Sequence, residues 1–120
     1  MSDNIYRLQR ISSEPLRSAV NQLKDSFSDG LEELVLCDIK SIGEVEVALL
    51  IFEKPYFRSS SYSSLTIEIT SYDSQQKAVV VGSGGGEGFL NLTMGVNSSF
   101  ASRACKKLKE LGFEEQQGTL

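Results

Sequence analysis

Apolar positions in this chain fall into two helical stretches with a strand-like block between them. Leu16, Ala19, Val20, Leu23 and Phe27 recur at i, i+3, i+4, i+7 and i+11, the spacing of one face of an α-helix. Ser13-Glu14-Pro15 precedes them and supplies a capping hydroxyl, an acidic first turn and a proline where no amide donor is needed. Asp29-Gly30 closes the helix, the glycine suiting a left-handed C-terminal cap. From Leu34 the period changes to two, with Val35, Cys37 and Ile39 on one side and Leu34, Leu36 and Asp38 on the other. Lys40-Ser41-Ile42-Gly43 reads as a tight connection to a second strand, Glu44 to Glu53. There Val45, Val47, Leu49 and Ile51 alternate with Glu44, Glu46, Ala48, Leu50 and Phe52. The strand begins with one apolar side and ends with two, so it runs from solvent to cover, whether by a helix or by another subunit.

Further on, Leu65, Ile67 and Ile69 alternate with Thr66, Glu68 and Thr70, the signature of a half-exposed strand. Tyr72-Asp73-Ser74-Gln75 reads as a turn and Gln76 to Val81 as a fourth strand. Phe89-Leu90-Asn91-Leu92 is either a short fifth strand or the lead-in to the last helix. Asn97-Ser98-Ser99 offers caps for that helix, whose apolar face is Phe100, Ala101, Ala104, Cys105, Leu108 and Leu111. Gly112 ends it, and Phe113 is placed to fold back on its last turn. Residues 1 to 12 carry Ile5, Tyr6, Leu8 and Ile11 at loose spacing, a polar arm or a short extra strand, and residues 114 to 120 form a frayed polar tail. Short connections between strands argue for an antiparallel meander, and two amphipathic helices need a sheet face to cover. The expectation is a single α+β domain over residues 1 to 120, a two-layer sandwich in the order α-β-β-β-β-α.

Composition changes this picture mainly by exclusion. Twelve basic against sixteen acidic side chains give a net charge of −4 with no basic stripe, which disfavours binding to nucleic acid. Arg103, Lys106, Lys107 and Lys109 spread around the last helix and read as a solvated face. No apolar run approaches the ~20 residues that span a bilayer, and the polar first residues lack the apolar core of a secretory signal. A cytoplasmic location is the simplest expectation. There is no histidine, and Cys37 and Cys105 stand alone, so a metal site and Ser-His-Asp or Cys-His catalysis are not expected. Both cysteines are expected to be buried, as small apolar residues. No cofactor is implied and no catalytic residue stands out; Glu44, Glu46 and Glu68 read as solvated strand carboxylates.

Two stretches carry candidate chemistry. Gly82-Ser83-Gly84-Gly85-Gly86-Glu87-Gly88 holds five of the ten glycines, a density that backbone geometry or a close approach to a ligand must explain. It fits neither the GxxxxGK[ST] loop, because the next lysine is Lys106, nor GxGxxG in either register. With Asn91 and Arg58 its glycines Gly82, Gly84, Gly85, Gly86 and Gly88 and Ser83 form the candidate site for a nucleotide or anionic metabolite. The second stretch is the break from Lys54 to Ser64, with Pro55 and five serines. Its Tyr56, Phe57 and Tyr62 either extend the flanking strands and pack at the sheet end or are presented to a ligand or partner. In the second case they join Ala48, Leu50 and Phe52 of the two-sided strand, the expected site of self-association, as the candidate interaction surface.

Gly86-Glu87-Gly88-Phe89-Leu90 followed by Asn91 to Val96 and then a helix resembles the glycine-Phe-Leu loop of the PII-like cyclic-di-AMP receptors. In that family the stretch precedes a strand and then a helix and contributes to nucleotide binding. The resemblance covers about fifteen residues, Glu87 interrupts the glycine pair, and the family's opening strand and threonine-bearing first loop have no counterpart here. Across its whole length the chain is similar to uncharacterised small bacterial α+β proteins of a domain-of-unknown-function family, chiefly through Val79 to Leu92. That likeness implies a fold and no activity. The functional expectation is a non-enzymatic binding or interaction module, self-associating, with a small-ligand receptor as the alternative.

Overall fold

The computed structural model describes residues 5–28, 30–56, 61–84 and 90–116. The elements run β1 (Ile5–Ile11), α1 (Leu16–Ser26), β2 (Glu33–Ile42), β3 (Val45–Tyr56), β4 (Ser61–Tyr72), β5 (Gln75–Gly84), α2 (Leu90–Glu110) and β6 (Glu114–Glu115). The fold is α+β with an antiparallel sheet, as its alternations predict, but the order is β-α-β-β-β-β-α-β. Among the described residues one six-stranded sheet, in the order β2-β3-β4-β5-β1-β6, holds every strand. Residues 5–11 are therefore the extra strand and not an arm: Ile5 to Ile11 pair with Val81 to Gln75 along their whole length. Glu114 and Glu115 add a short strand to the other side of β1. Both pairings join distant parts of the chain, which local periodicity does not register.

The β2–β5 meander is set by its turns. Gly43 has φ +60 at the β2–β3 hairpin, and Asp73 and Ser74 have φ 52 and 64 between β4 and β5. Two residues in the left-handed region match the right-handed twist of the flanking strands. β2 departs from simple alternation. Leu34 pairs with Phe52 and Leu36 with Ile51, so Val35 is the extra residue of a β-bulge. The bulge puts Leu34, not Val35, on the side of Cys37 and Ile39.

Helix α1 buries Leu16, Ala19, Val20 and Leu23, the face its spacing predicts. Pro15 occupies the N-cap with no side-chain capping bond, while the Ser12 hydroxyl accepts from the Glu14 amide at 3.0 Å. The helix ends at Phe27 and not at Asp29-Gly30. Phe27 leaves helical geometry at φ −116 and ψ 27; it is 3% exposed and its ring lies 4.9 Å from Phe52 and 5.6 Å from Phe100. Phe89 lies outside the described residues. Helix α2 starts at Leu90, so Leu90, Asn91 and Leu92 are its first residues and make no fifth strand, and Asn97-Ser98-Ser99 sit within the helix and do not cap it. Its C-terminus is a Schellman motif: the Gly112 amide donates to the Lys109 carbonyl and the Phe113 amide to the Leu108 carbonyl, both at 3.0 Å.

Both helices pack on one sheet face. Beneath them lie Ala48, Leu50 and Phe52 of β3, Leu65, Ile67 and Ile69 of β4, and Ala78 and Val80 of β5, each at most 1% exposed. Truncating Leu50 to Ala opens a cavity in this layer and is expected to cost about 2–5 kcal/mol. Gly112→Ala forces a side chain onto φ +102 and is expected to cost roughly 1–2 kcal/mol. Urea denaturation of the two variants checks both, and a Gly112→Ala protein as stable as the parent would contradict the account of the helix end.

Candidate interaction surface

Because paired residues of an antiparallel sheet share a face, the strand registers spell out the side opposite the helices. One line across it is Leu36, Ile51, Thr66, Val81 and Ile5. The next is Asp38, Leu49, Glu68, Val79 and Arg7, and the third is Lys40, Val47, Thr70, Lys77 and Gln9. Ile42 beside Val45 continues the pattern. Among the described residues no element packs on this face. Val45, Val47, Leu49 and Ile51 are half-buried, and Leu36, Ile5 and Ile42 are 39%, 40% and 70% exposed. The result is an aliphatic column along β3 with charged groups beside it.

The candidate residues fare unevenly. Ala48, Leu50 and Phe52 are 0%, 0% and 1% exposed beneath the helices, so they form the core and offer no surface to a partner. The apolar side of β3 that stays open is the other one. Alternation shows that both sides are apolar and cannot show which side the helices take. Tyr56 closes β3 and Tyr62 lies in β4 opposite Pro55; their side chains, and Phe57 and Arg58 entirely, lie outside the described residues. Cys105 is buried as expected, but Cys37 is exposed, because it sits at the helix-side edge on β2, beyond the cover of either helix.

Gly82, Ser83 and Gly84 belong to β5, opposite Leu65, Ser64 and Ser63. The Ser83 and Ser64 hydroxyls are 2.9 Å apart across the strands. These residues serve as strand. Gly85, Gly86 and Gly88 lie outside the described residues, and Asn91 is in the first turn of α2. The helical conformation from Leu90 departs from the strand that follows the glycine-Phe-Leu stretch in the cyclic-di-AMP receptors.

Two polar clusters sit on the helix side. Glu32 lies just before β2, with its side chain 4% exposed and Oε2 at 2.7 Å from Arg103 Nη1 and 3.8 Å from Lys54 Nζ. Arg103 also stacks over Phe27 at 4.7 Å. Burial pushes the Glu32 carboxyl up, but the Arg103 hydrogen bond, its own backbone amide and the Arg103 and Lys54 charges together hold it below the usual range. Gly30 makes room for this carboxylate, since a Cβ there would meet Glu32 Oε1 at 2.5 Å. The second cluster fastens β1 to the end of α2. Arg10 donates to Gln76 Oε1 at 2.8 Å and to the Leu111 carbonyl at 2.6 Å, and lies over the Phe113 ring at 4.7 Å. Gln76 is 1% exposed and donates in turn to the Glu14 carbonyl at 3.0 Å, so its amide is satisfied. Burial lowers the Arg10 pKa and Glu14 opposes that. A cleft of about 300 Å³ opens beside Arg10, Glu14, Ser18 and Gln22, but its guanidinium is already engaged in holding strand to helix.

Neither cluster was legible from spacing, since each joins residues far apart in sequence. The basic residues of α2 are partly paired as well, Lys107 with Glu110 at 3.4 Å and Lys109 with Glu115 at 3.0 Å.

A depressed carboxyl pKa contributes stability that is present above its unfolded value and lost as pH falls through the folded one. The parent should therefore lose stability on acidification below the ordinary carboxylate range. Glu32→Gln should flatten that part of the curve, as urea midpoints measured at successive pH values will show; an unchanged acid limb would contradict the assignment.

The family model described as "Family of unknown function (DUF6054)" matches residues 13–112. No curated protein and no solved structure matches the chain. No helix among the described residues is long and apolar enough to cross a membrane.

Proposed function

The chain belongs to DUF6054, a family of unknown function, and we propose that it acts as a cytoplasmic, non-enzymatic interaction module that self-associates through the open face of its sheet. One observation carries this reading. Both helices lie on the same side, and among the described residues no element packs over the half-buried aliphatic column Val45, Val47, Leu49 and Ile51 on the other. An antiparallel sheet can leave one face to water, but that face then alternates to polar residues. β3 does not. An uncovered apolar stripe rimmed by polar residues is the usual mark of a docking surface. Val79 and Val81 widen it on β5, and exposed Leu36 and Ile42 widen it on β2.

Light scattering of the full chain from micromolar to several hundred micromolar is expected to reach twice the chain mass. Leu49→Arg sets a charge in the middle of the column without touching the core, and is expected to weaken association by about a hundredfold or more with circular dichroism unchanged. A parent protein that stays monomeric throughout, or a Leu49→Arg protein that associates equally well, would overturn the reading.

A further inference from the structure

The open face carries charge as well as aliphatic surface, and its charges are arranged in a way that selects among modes of association. Asp38 and Lys40 flank the column on β2, and Glu68 and Lys77 flank it on β4 and β5. Among the described residues none of these four has an ion-pair partner within the chain. We propose that the open face binds a second copy of the same chain, face to face, about a two-fold axis that runs across the strands between the Leu49 line and the Val47 line. The proposal rests on the self-association reading above and specifies its geometry.

Two sheets that face one another across a two-fold must have the axis in the plane between them. An axis along β4 sets Glu68 against the partner's Glu68. An axis along β3 sets Glu68 against the partner's Asp38, because β2 and β4 flank β3 in the sheet. Both juxtapose like charges, which is costly at an interface. An axis along β5 sets Glu68 against the partner's Arg7 but carries the β3 column beyond the partner's β1, onto the two-residue β6. An axis across the strands, midway between the Leu49 and Val47 lines, avoids both faults. Each strand then lies over its own copy running the opposite way, so the two β3 columns meet.

Leu49 then covers the partner's Val47, and Ile51 covers the partner's Val45. Asp38 falls on the partner's Lys40. Glu68 falls on the partner's Thr70, beside the partner's Lys77, since Thr70 and Lys77 are register partners. Each contact occurs twice by symmetry. Packed sheets cross at about 30°, which displaces the outer contacts slightly and leaves the central column in place. Five strands about 4.8 Å apart and four lines about 6.8 Å apart make a patch of roughly 24 by 27 Å. That approaches the ~800 Å² a stable interface covers on each partner.

Charge reversal on the full chain tests the axis. Asp38→Lys and Lys40→Asp each set like charges together across the interface, as do Glu68→Lys and Lys77→Glu. Each single variant is expected to raise the dimer dissociation constant by about tenfold, measured by sedimentation equilibrium. The double reversals, Asp38→Lys with Lys40→Asp and Glu68→Lys with Lys77→Glu, are expected to return it to within about threefold of the parent. Circular dichroism guards each comparison, and Glu68→Gln replaces any reversal that disturbs the fold, with a smaller weakening expected. A dimer that Leu49→Arg breaks but whose double reversals fail to recover overturns the axis and leaves the open-face reading standing. A dimer sensitive at Asp38 and Lys40 but indifferent at Glu68 and Lys77 also overturns it, because that pattern belongs to edge pairing of β2 with β2. A parent monomer overturns both.

Discussion

Burial of the helix-side residues of β3, β4 and β5 is the constraint on which the rest of the molecule depends. Ala48, Leu50, Phe52, Leu65, Ile67, Ile69, Ala78 and Val80 form a continuous apolar floor, and each helix has one apolar stripe to lay on it. Phe27 joins the layers, touching Phe52 of the sheet and Phe100 of α2. Among the described residues both stripes lie on this one floor, and neither helix covers the other side. The open face therefore follows from the number of helices as much as from the sheet.

The polar clusters secure this arrangement at its two ends. Glu32, Lys54 and Arg103 connect the segment before β2 with β3 and α2. Arg10 and Gln76 connect β1 and β5 with the end of α2 and the start of α1. Each contains a side chain that is almost wholly buried and nonetheless supplied with partners, as a buried polar group must be to avoid a large desolvation cost. Their chemistry is that of fasteners. Among the described residues the aliphatic column of β3, with Asp38, Lys40, Glu68 and Lys77 beside it, lies on the opposite side, and the functional reading is placed there for that reason.

Much of the architecture was legible from period and punctuation. The α1 face, the alternation of β3 and β4, the turn at Asp73-Ser74 and the closure of α2 at Gly112-Phe113 all depend on interactions within a few residues, and such interactions leave a spacing in the chain. The end of α1 falls at Phe27, before the glycine signal at Gly30, and the spacing of apolar residues does not mark that departure because Phe27 lies on the buried face in either case. The bulge at Val35 escaped notice because its residues are apolar on both sides, so shifting the register by one leaves the pattern looking the same. Ala48, Leu50 and Phe52 of the candidate surface lie in the core beneath the helices, because alternation does not say which of two apolar sides is covered.

Sequence alone determined that β3 has two apolar sides, that two helices each need cover, and that the intervening strands form an antiparallel meander. Only the tertiary structure decided which side of β3 the helices take, that β1 enters the sheet between β5 and β6, and which distant charges meet. Alternation assigns residues to faces in pairs but is symmetric between them when both are apolar. That symmetry is broken by contacts between segments tens of residues apart, whose partners have no local spacing to read. Ala48, Leu50 and Phe52 became core and Val47, Leu49 and Ile51 became surface for that reason.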